Sequence, residues 1–172
     1  MFLETQRLLL RKPEVSDVDD YLEFVNSTFV QQYNAMTPVT REKAEASFSN
    51  AQDDTVAIVL KQTGKVIGMI YIQEDSLRYG VDSKEVSYFL REEESRKGYM
   101  KEALGTLIHY LFETEPLSCV AARCFVPNIA SQRLLESLGF HKNGVIPKCV
   151  KGYKGQIFDD CLYSLMKENR LF

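Results

Sequence analysis

Residues 85–111 read "EVSYFLREEESRKGYMKEALGTLIHYL" and divide into two segments of different period. In "EVSYFL" (Glu85 to Leu90) the side chains alternate. Val86, Tyr88 and Leu90 take one face and Glu85, Ser87 and Phe89 the other, the pattern of a strand. From Met100 the period becomes helical. Met100, Ala103, Leu104, Leu107, Ile108 and Leu111 fall on one stripe, while Lys101, Glu102, Thr106 and His109 lie off it. The stretch between them, "SRKGYMKEA" (Ser95 to Ala103), therefore delivers a strand into a helix N-terminus. There about four backbone N–H groups lack intrahelical partners, and the helix dipole adds partial positive charge. Gly98 lets a ligand approach the backbone closely, and Arg96, Lys97 and Lys101 surround it with cations. These features predict an anion cradle of the kind that holds a pyrophosphate. The stretch contains neither G-x-x-x-x-G-K-[ST] nor G-x-G-x-x-G, so it is neither a P-loop nor a dinucleotide fingerprint.

Working outward, "RLLLRKP" (Arg7 to Pro13) reads as a first strand ended by its proline. Ser16, with Asp19 three residues on, predicts the N-cap of a helix that turns Val18, Tyr21, Leu22 and Val25 inward. Residues 37–51 give a second helix with Thr40 as cap and Glu42 in its first turn. "TVAIVL" (Thr55 to Leu60) and "KVIGMIYI" (Lys65 to Ile72) flank "KQTG" as a hairpin. After the long helix, "CVAARCFV" (Cys119 to Val126) is a strand broken by Pro127. Asn128 caps a short helix with Leu134, Leu135 and Leu138 inward, closed by Gly139. Two last strands, Val145 to Lys151 and Gln156 to Met166, turn on "GYKG". The order is strand, two helices, three strands, helix, strand, helix, two strands. That order predicts an α/β (α+β) fold with a mixed, mostly antiparallel sheet of about seven strands flanked by about four helices.

The chain has 172 residues, 45% of them hydrophobic, enough for one domain with a full core. A net charge of -3 offers no basic footprint, so no direct nucleic-acid partner is expected. Glu4 and Arg7 interrupt the only place for a secretory signal, and no apolar run approaches the ~18 residues of a membrane span. The expectation is a soluble, cytoplasmic protein with no membrane partner, a monomer or a homodimer. Cys119, Cys124, Cys149 and Cys161 form no C-x-x-C pair, and neither His109 nor His141 lies near a cysteine in sequence. Buried or half-buried thiols in strands are predicted, with no metal site.

The joint pattern is more specific than its parts. "EVSYFL", then "GYMKEAL", then "NIASQRLLESLGF" resembles the GCN5-related N-acetyltransferases (GNAT), above all the branch that acetylates the N-termini of ribosomal proteins. The likeness runs from "ETQRLLLRKPEVSD" to "DDCLYSLMKE", so residues 1–172 are expected to form a single N-acetyltransferase domain. What the resemblance implies is acetyl-CoA as cosubstrate. Its pyrophosphate would sit on the loop of Arg96, Lys97, Gly98, Tyr99, Met100 and Lys101. Its pantetheine arm would pair along Phe89, Leu90 and Arg91, where two parallel strands splay apart, with Asn128 at the pantetheine amide. The loop departs from the family at Ser95 and Met100. Arg96 stands where a glycine is common, so a left-handed backbone there would carry a cost and weaken the cofactor's hold.

Acetyl transfer needs a neutral amine, a polarised carbonyl and a proton for the departing thiolate. The resemblance places Glu85 as general base. Many relatives carry a tyrosine on the helix after Asn128 as the acid; Leu135 stands there, and Ser131 takes the role proposed for a serine in the ribosomal-protein branch. The acceptor is expected to be a primary amine, in the first instance a protein N-terminus. The alternatives are a small-molecule amine or a non-catalytic acyl-CoA-binding module.

Overall fold

The computed structural model describes residues 1–170. Eight strands form one sheet: β1 (Phe2–Glu4), β2 (Leu8–Arg11), β3 (Thr55–Leu60), β4 (Val66–Glu74), β5 (Ser83–Leu90), β6 (Cys119–Phe125), β7 (His141–Lys151) and β8 (Ile157–Met166). Five helices accompany them: α1 (Val18–Val25), α2 (Thr28–Gln31), α3 (Arg41–Ser49), α4 (Tyr99–Thr114) and α5 (Ile129–Ser137). The sheet order is β1-β2-β3-β4-β5-β6-β8-β7, and every pair is antiparallel except β5 with β6.

The alternation along β3 decides the layers. Val56, Ile58 and Leu60 face a core shared with the apolar stripe of α4, with Leu135 of α5 and with Leu138 just past its end. Ala57 and Val59 face a second core built with Val18, Tyr21, Phe24 and Val25 of α1, Val30 of α2, and Ala44 and Phe48 of α3. Helices thus cover both faces, and β3 is buried almost throughout, which is why it reads as an unbroken apolar run.

The count rises from about seven strands and four helices to eight and five. β1 is a three-residue edge strand on β2, too short to show a period, and α2 is a single turn capped by Ser27. The start of the first helix is also corrected. Ser16 is not its cap. Asp17 accepts the Glu14 N–H at 2.8 Å, while both terminal nitrogens of Arg11 bind Asp17 at 2.7 and 2.9 Å. That ion pair winds residues 15–17 into a 3₁₀ turn ahead of α1. Thr40 does cap α3, accepting from Lys43 N, and Asn128 caps α5, accepting from Ser131 N. β7 begins at His141, four residues before the expected start, because the polar "HKNG" finds its ladder partners on β8. Of the four cysteines, all unpaired and all in strands, three are buried and Cys149 is half-buried.

Candidate active site at the splayed strands

β5 and β6 run together for only four residue pairs, from Ser83 with Cys119 to Val86 with Ala122. Beyond them β5 follows β4 as far as Leu90 opposite Gly68, and β6 follows β8 as far as Phe125 opposite Asp160. The sheet therefore opens into a V, and residues 87–90 present an edge without a ladder partner on the β6 side. Gly68 allows this course: a Cβ there would stand 2.7 Å from the Phe89 carbonyl oxygen. β4 and β5 can stay paired to the end of the V only because position 68 has none.

Two cavities meet in the V. One, about 440 Å³, lies between β5, α2, the start of α4 and the start of α5. Its walls carry Arg96, Lys101 and Arg133 and no carboxylate, in a protein whose net charge is -3. None of these three cations forms an ion pair among the described residues. Beside them the backbone turns through two left-handed residues, Arg96 (φ 61) and Gly98 (φ 83), before α4 begins. The N–H groups from Arg96 to Lys101 find no protein acceptor among the described residues. Unpaired amides at a helix N-terminus ringed by free cations make an anion site.

The second cavity, about 760 Å³, shares Tyr88, Phe89, Asn128 and Ser131 with the first and extends to the other side of the sheet. Tyr21, Tyr71 and Phe125 supply aromatic walls, and its polar end holds Glu85, Arg123 and Asp160. Burial pushes the Glu85 carboxyl above the ordinary carboxylate range. Arg123 opposes the rise, and Asp75 and Asp160 add to it. Asp160 is 3% exposed and accepts from Arg123 Nε at 2.7 Å, yet burial outweighs that bond and raises its carboxyl too. Where the cavities join, the hydroxyls of Tyr88 and Ser131 lie 2.7 Å apart, and Ser131 N donates to Asn128 Oδ1 at 3.1 Å. One cavity is made for an anion, the other ends in acids, and two hydroxyls sit at the junction.

The family described as "Acetyltransferase (GNAT) domain" matches residues 7–141. The chain belongs to this GNAT family. Among curated GNAT relatives, an uncharacterized N-acetyltransferase named p20 from Bacillus licheniformis is 31% identical, with 96% of each chain covered. Two solved structures share the fold. An acetyltransferase (GNAT family) from Bacillus anthracis superposes with a TM-score of 0.87 at 24% identity, covering 98% of this chain and 99% of that one. The ribosomal-protein-S5-alanine acetyltransferase of Vibrio fischeri gives 0.86 at 21% identity, covering 99% and 98%.

Within the GNAT framework, the residues expected from sequence fall into two groups. Phe89, Leu90, Arg96, Gly98, Tyr99, Met100, Lys101 and Asn128 line the cationic cavity, and Glu85 and Ser131 line the acid-ended one. Arg91 and Lys97 face elsewhere. Arg91 N donates to Ile67 O at 2.8 Å, and its guanidinium reaches Glu23 at 2.5 Å. Lys97 Nζ pairs with Glu94 at 2.9 Å. Sequence reasoning missed Arg133, whose signal was a cation one turn along α5 from the cap. It also missed the Tyr88–Ser131 contact, which joins two elements 43 residues apart. Leu135 is fully buried, in the core rather than the cleft.

Proposed function

We propose that the protein transfers an acetyl group from acetyl-CoA to a primary amine, the α-amine of a protein N-terminus of the ribosomal type. The observation that carries this reading is the junction of the cavities: three unpaired cations and a row of free amides on one side, Glu85 on the other, and Ser131 between. Acetyl-CoA fits the first side, since its phosphates suit the free amides with Arg96, Lys101 and Arg133, and its extended arm suits the open edge of β5. It supplies an activated acyl group. Likeness to the S5-alanine acetyltransferase favours an N-terminal amine as the acceptor.

Each residue then has a task. Glu85, raised by burial and half-exposed to the acceptor cavity, takes a proton from the attacking amine. The Asn128 side chain holds the first turn of α5 so that Ser131 faces the junction. Ser131 donates its hydrogen toward the departing thiolate. A thiol with pKa near ~8.5 needs little acid help to leave, so a hydrogen bond suffices. Tyr21, Tyr71 and Phe89 wall off the acceptor cavity on the α1 side and limit water there.

A small-molecule amine is the second reading, favoured by the pair of half-buried Arg123 with buried Asp160, which suits a compact acceptor with a further polar group. Free-thiol release from acetyl-CoA, measured against peptides with free N-termini and against polyamines, amino acids and aminoglycosides, tests both. Transfer to peptides with kcat/KM well above every small amine is the expected result. Acetyl-CoA should raise Tm by mass action, and Gly98→Asp should remove most of that rise. A full Tm rise without thiol release from any amine would make the chain a binding module instead.

A further inference from the structure

Arg7, in the short connection between β1 and β2, lies directly beneath the turn that opens α4. We propose that Arg7 is the positioning residue that aims the amides of this turn at the pyrophosphate, an inference that rests on the acetyl-CoA reading above. Its guanidinium makes contacts on three sides. Nη1 donates to the Lys97 carbonyl oxygen at 2.9 Å. Nε donates to Glu102 Oε2 at 2.7 Å, and Nη2 lies 2.6 Å from the same oxygen. The Tyr99 ring centroid stands 4.4 Å from the guanidinium carbon. A Cβ on Gly98 would come within 3.3 Å of Nη2, so the guanidinium closes the underside of the turn.

The contact with Lys97 O matters most. Lys97 C=O and Gly98 N–H belong to one trans peptide, and in such a unit the two point in opposite directions. Holding the carbonyl inward on Arg7 therefore turns the Gly98 N–H outward, into the cavity. Nothing local fixes that choice, because glycine accepts the backbone on either side of a peptide flip. Arg7 selects one of the two states. Arg7 itself is held by Glu102, whose other oxygen accepts Thr5 Oγ1 at 2.5 Å and Arg7 N at 3.0 Å. Its charge is matched by that carboxylate, and it does not line the cavity. Its effect on the ligand runs through the peptide it holds.

The role predicts a split between two acetyl donors, acetyl-CoA and S-acetylpantetheine, which lacks the pyrophosphate. Arg7→Met keeps the stem and removes every donor. It should raise KM for acetyl-CoA tenfold or more with kcat at saturation little changed, and alter kcat/KM for S-acetylpantetheine by no more than twofold. Arg7→Lys retains the charge but cannot hold Lys97 O and Glu102 together. It should raise KM for acetyl-CoA at least threefold with the same split, and it serves if the Met variant fails to fold. Equal losses with both donors would reduce Arg7 to a structural tie, and unchanged kinetics with both would remove it from the site; either result overturns the proposal. Wild-type protein inert toward both donors would instead overturn the acetyltransferase reading itself.

Discussion

The phenol of Tyr88 on β5 and the hydroxyl of Ser131 on α5 lie 2.7 Å apart, across the gap where β5 and β6 separate. Burial pushes the Tyr88 phenol well above its ordinary range, so it stays protonated and keeps a hydrogen to donate. Its partner among the described residues is Ser131 Oγ. A phenol donating to that oxygen leaves the serine's own hydrogen free for the departing thiolate. In the function proposed above, Tyr88 would thus support the serine from a strand.

Ser131→Ala should therefore lower kcat by roughly 10–10²-fold while KM for acetyl-CoA changes less than about threefold. Tyr88→Phe should cost about fivefold, the worth of one neutral hydrogen bond of ~1 kcal/mol. The double variant should be no slower than Ser131→Ala alone, because the tyrosine acts only through the serine. Additive losses in steady-state kinetics would give Tyr88 a separate task.

Glu85→Gln should lower turnover by about 10²-fold near neutral pH, with the deficit shrinking as pH rises and the amine deprotonates unaided. The acid limb of wild-type kcat/KM should lie above the ordinary carboxylate value of ~4.3 and vanish in the variant. Stability moves the other way. A raised carboxyl binds its proton more tightly in the folded chain, so its contribution is complete below the unfolded value and is lost as pH rises through the folded one. Glutamine does not titrate, so Tm of Glu85→Gln should gain on wild type as pH rises through the window that opens at the unfolded carboxyl's ~4.3. A constant Tm difference across that window would contradict the burial assigned to Glu85.

Arg96 holds φ 61, a left-handed backbone that costs a non-glycine residue about 1–2 kcal/mol. Arg96→Ala and Arg96→Gly both delete the cation, but only glycine relieves the backbone. Urea unfolding should find the Gly variant more stable than the Ala variant by about 1 kcal/mol, while both weaken acetyl-CoA binding to a similar degree. Weaker binding confined to one variant would mean that the backbone, not the guanidinium, serves the ligand.

Cys124 lines the larger cavity beside Ser131, and burial pushes its thiol to about 12. It carries almost no thiolate at neutral pH and is no nucleophile. Cys124→Ala should keep kcat within about threefold, and mass spectrometry of enzyme quenched during turnover should find no acetyl-cysteine.

The sequence discloses what repeats along the chain. β5 shows a period of two and α4 a helical stripe, so the strand-to-helix loop could be placed from Val86 and Leu104 onward. It hides what depends on distant partners. Ser16 looked like a cap because the Arg11–Asp17 pair that replaces it leaves no local pattern. Residues 141–144 fall outside the strand expected from Val145 because their strand character comes from Tyr163 and Ser164 on β8. At the site, the amides around Gly98 were legible from glycine and helix phase alone. The three-sided seat of Arg7, the third cation Arg133 and the Tyr88–Ser131 pair each need two elements brought together, and no spacing encodes that.

The four-pair seam between β5 and β6 has a mechanical meaning. Two plates, β1 to β5 and β6 to β8 with β7, are welded over a fraction of their length. In the function proposed above, an extended ligand lying in the open part would lengthen the weld, so that substrate and chain would share one hydrogen-bonded sheet. Saturation then acts as a further structural element whose contribution grows with concentration, about 2.7 kcal/mol at a hundredfold excess over Kd. On that reading, the chain's resistance to unfolding would be a gauge of how much acyl donor surrounds it.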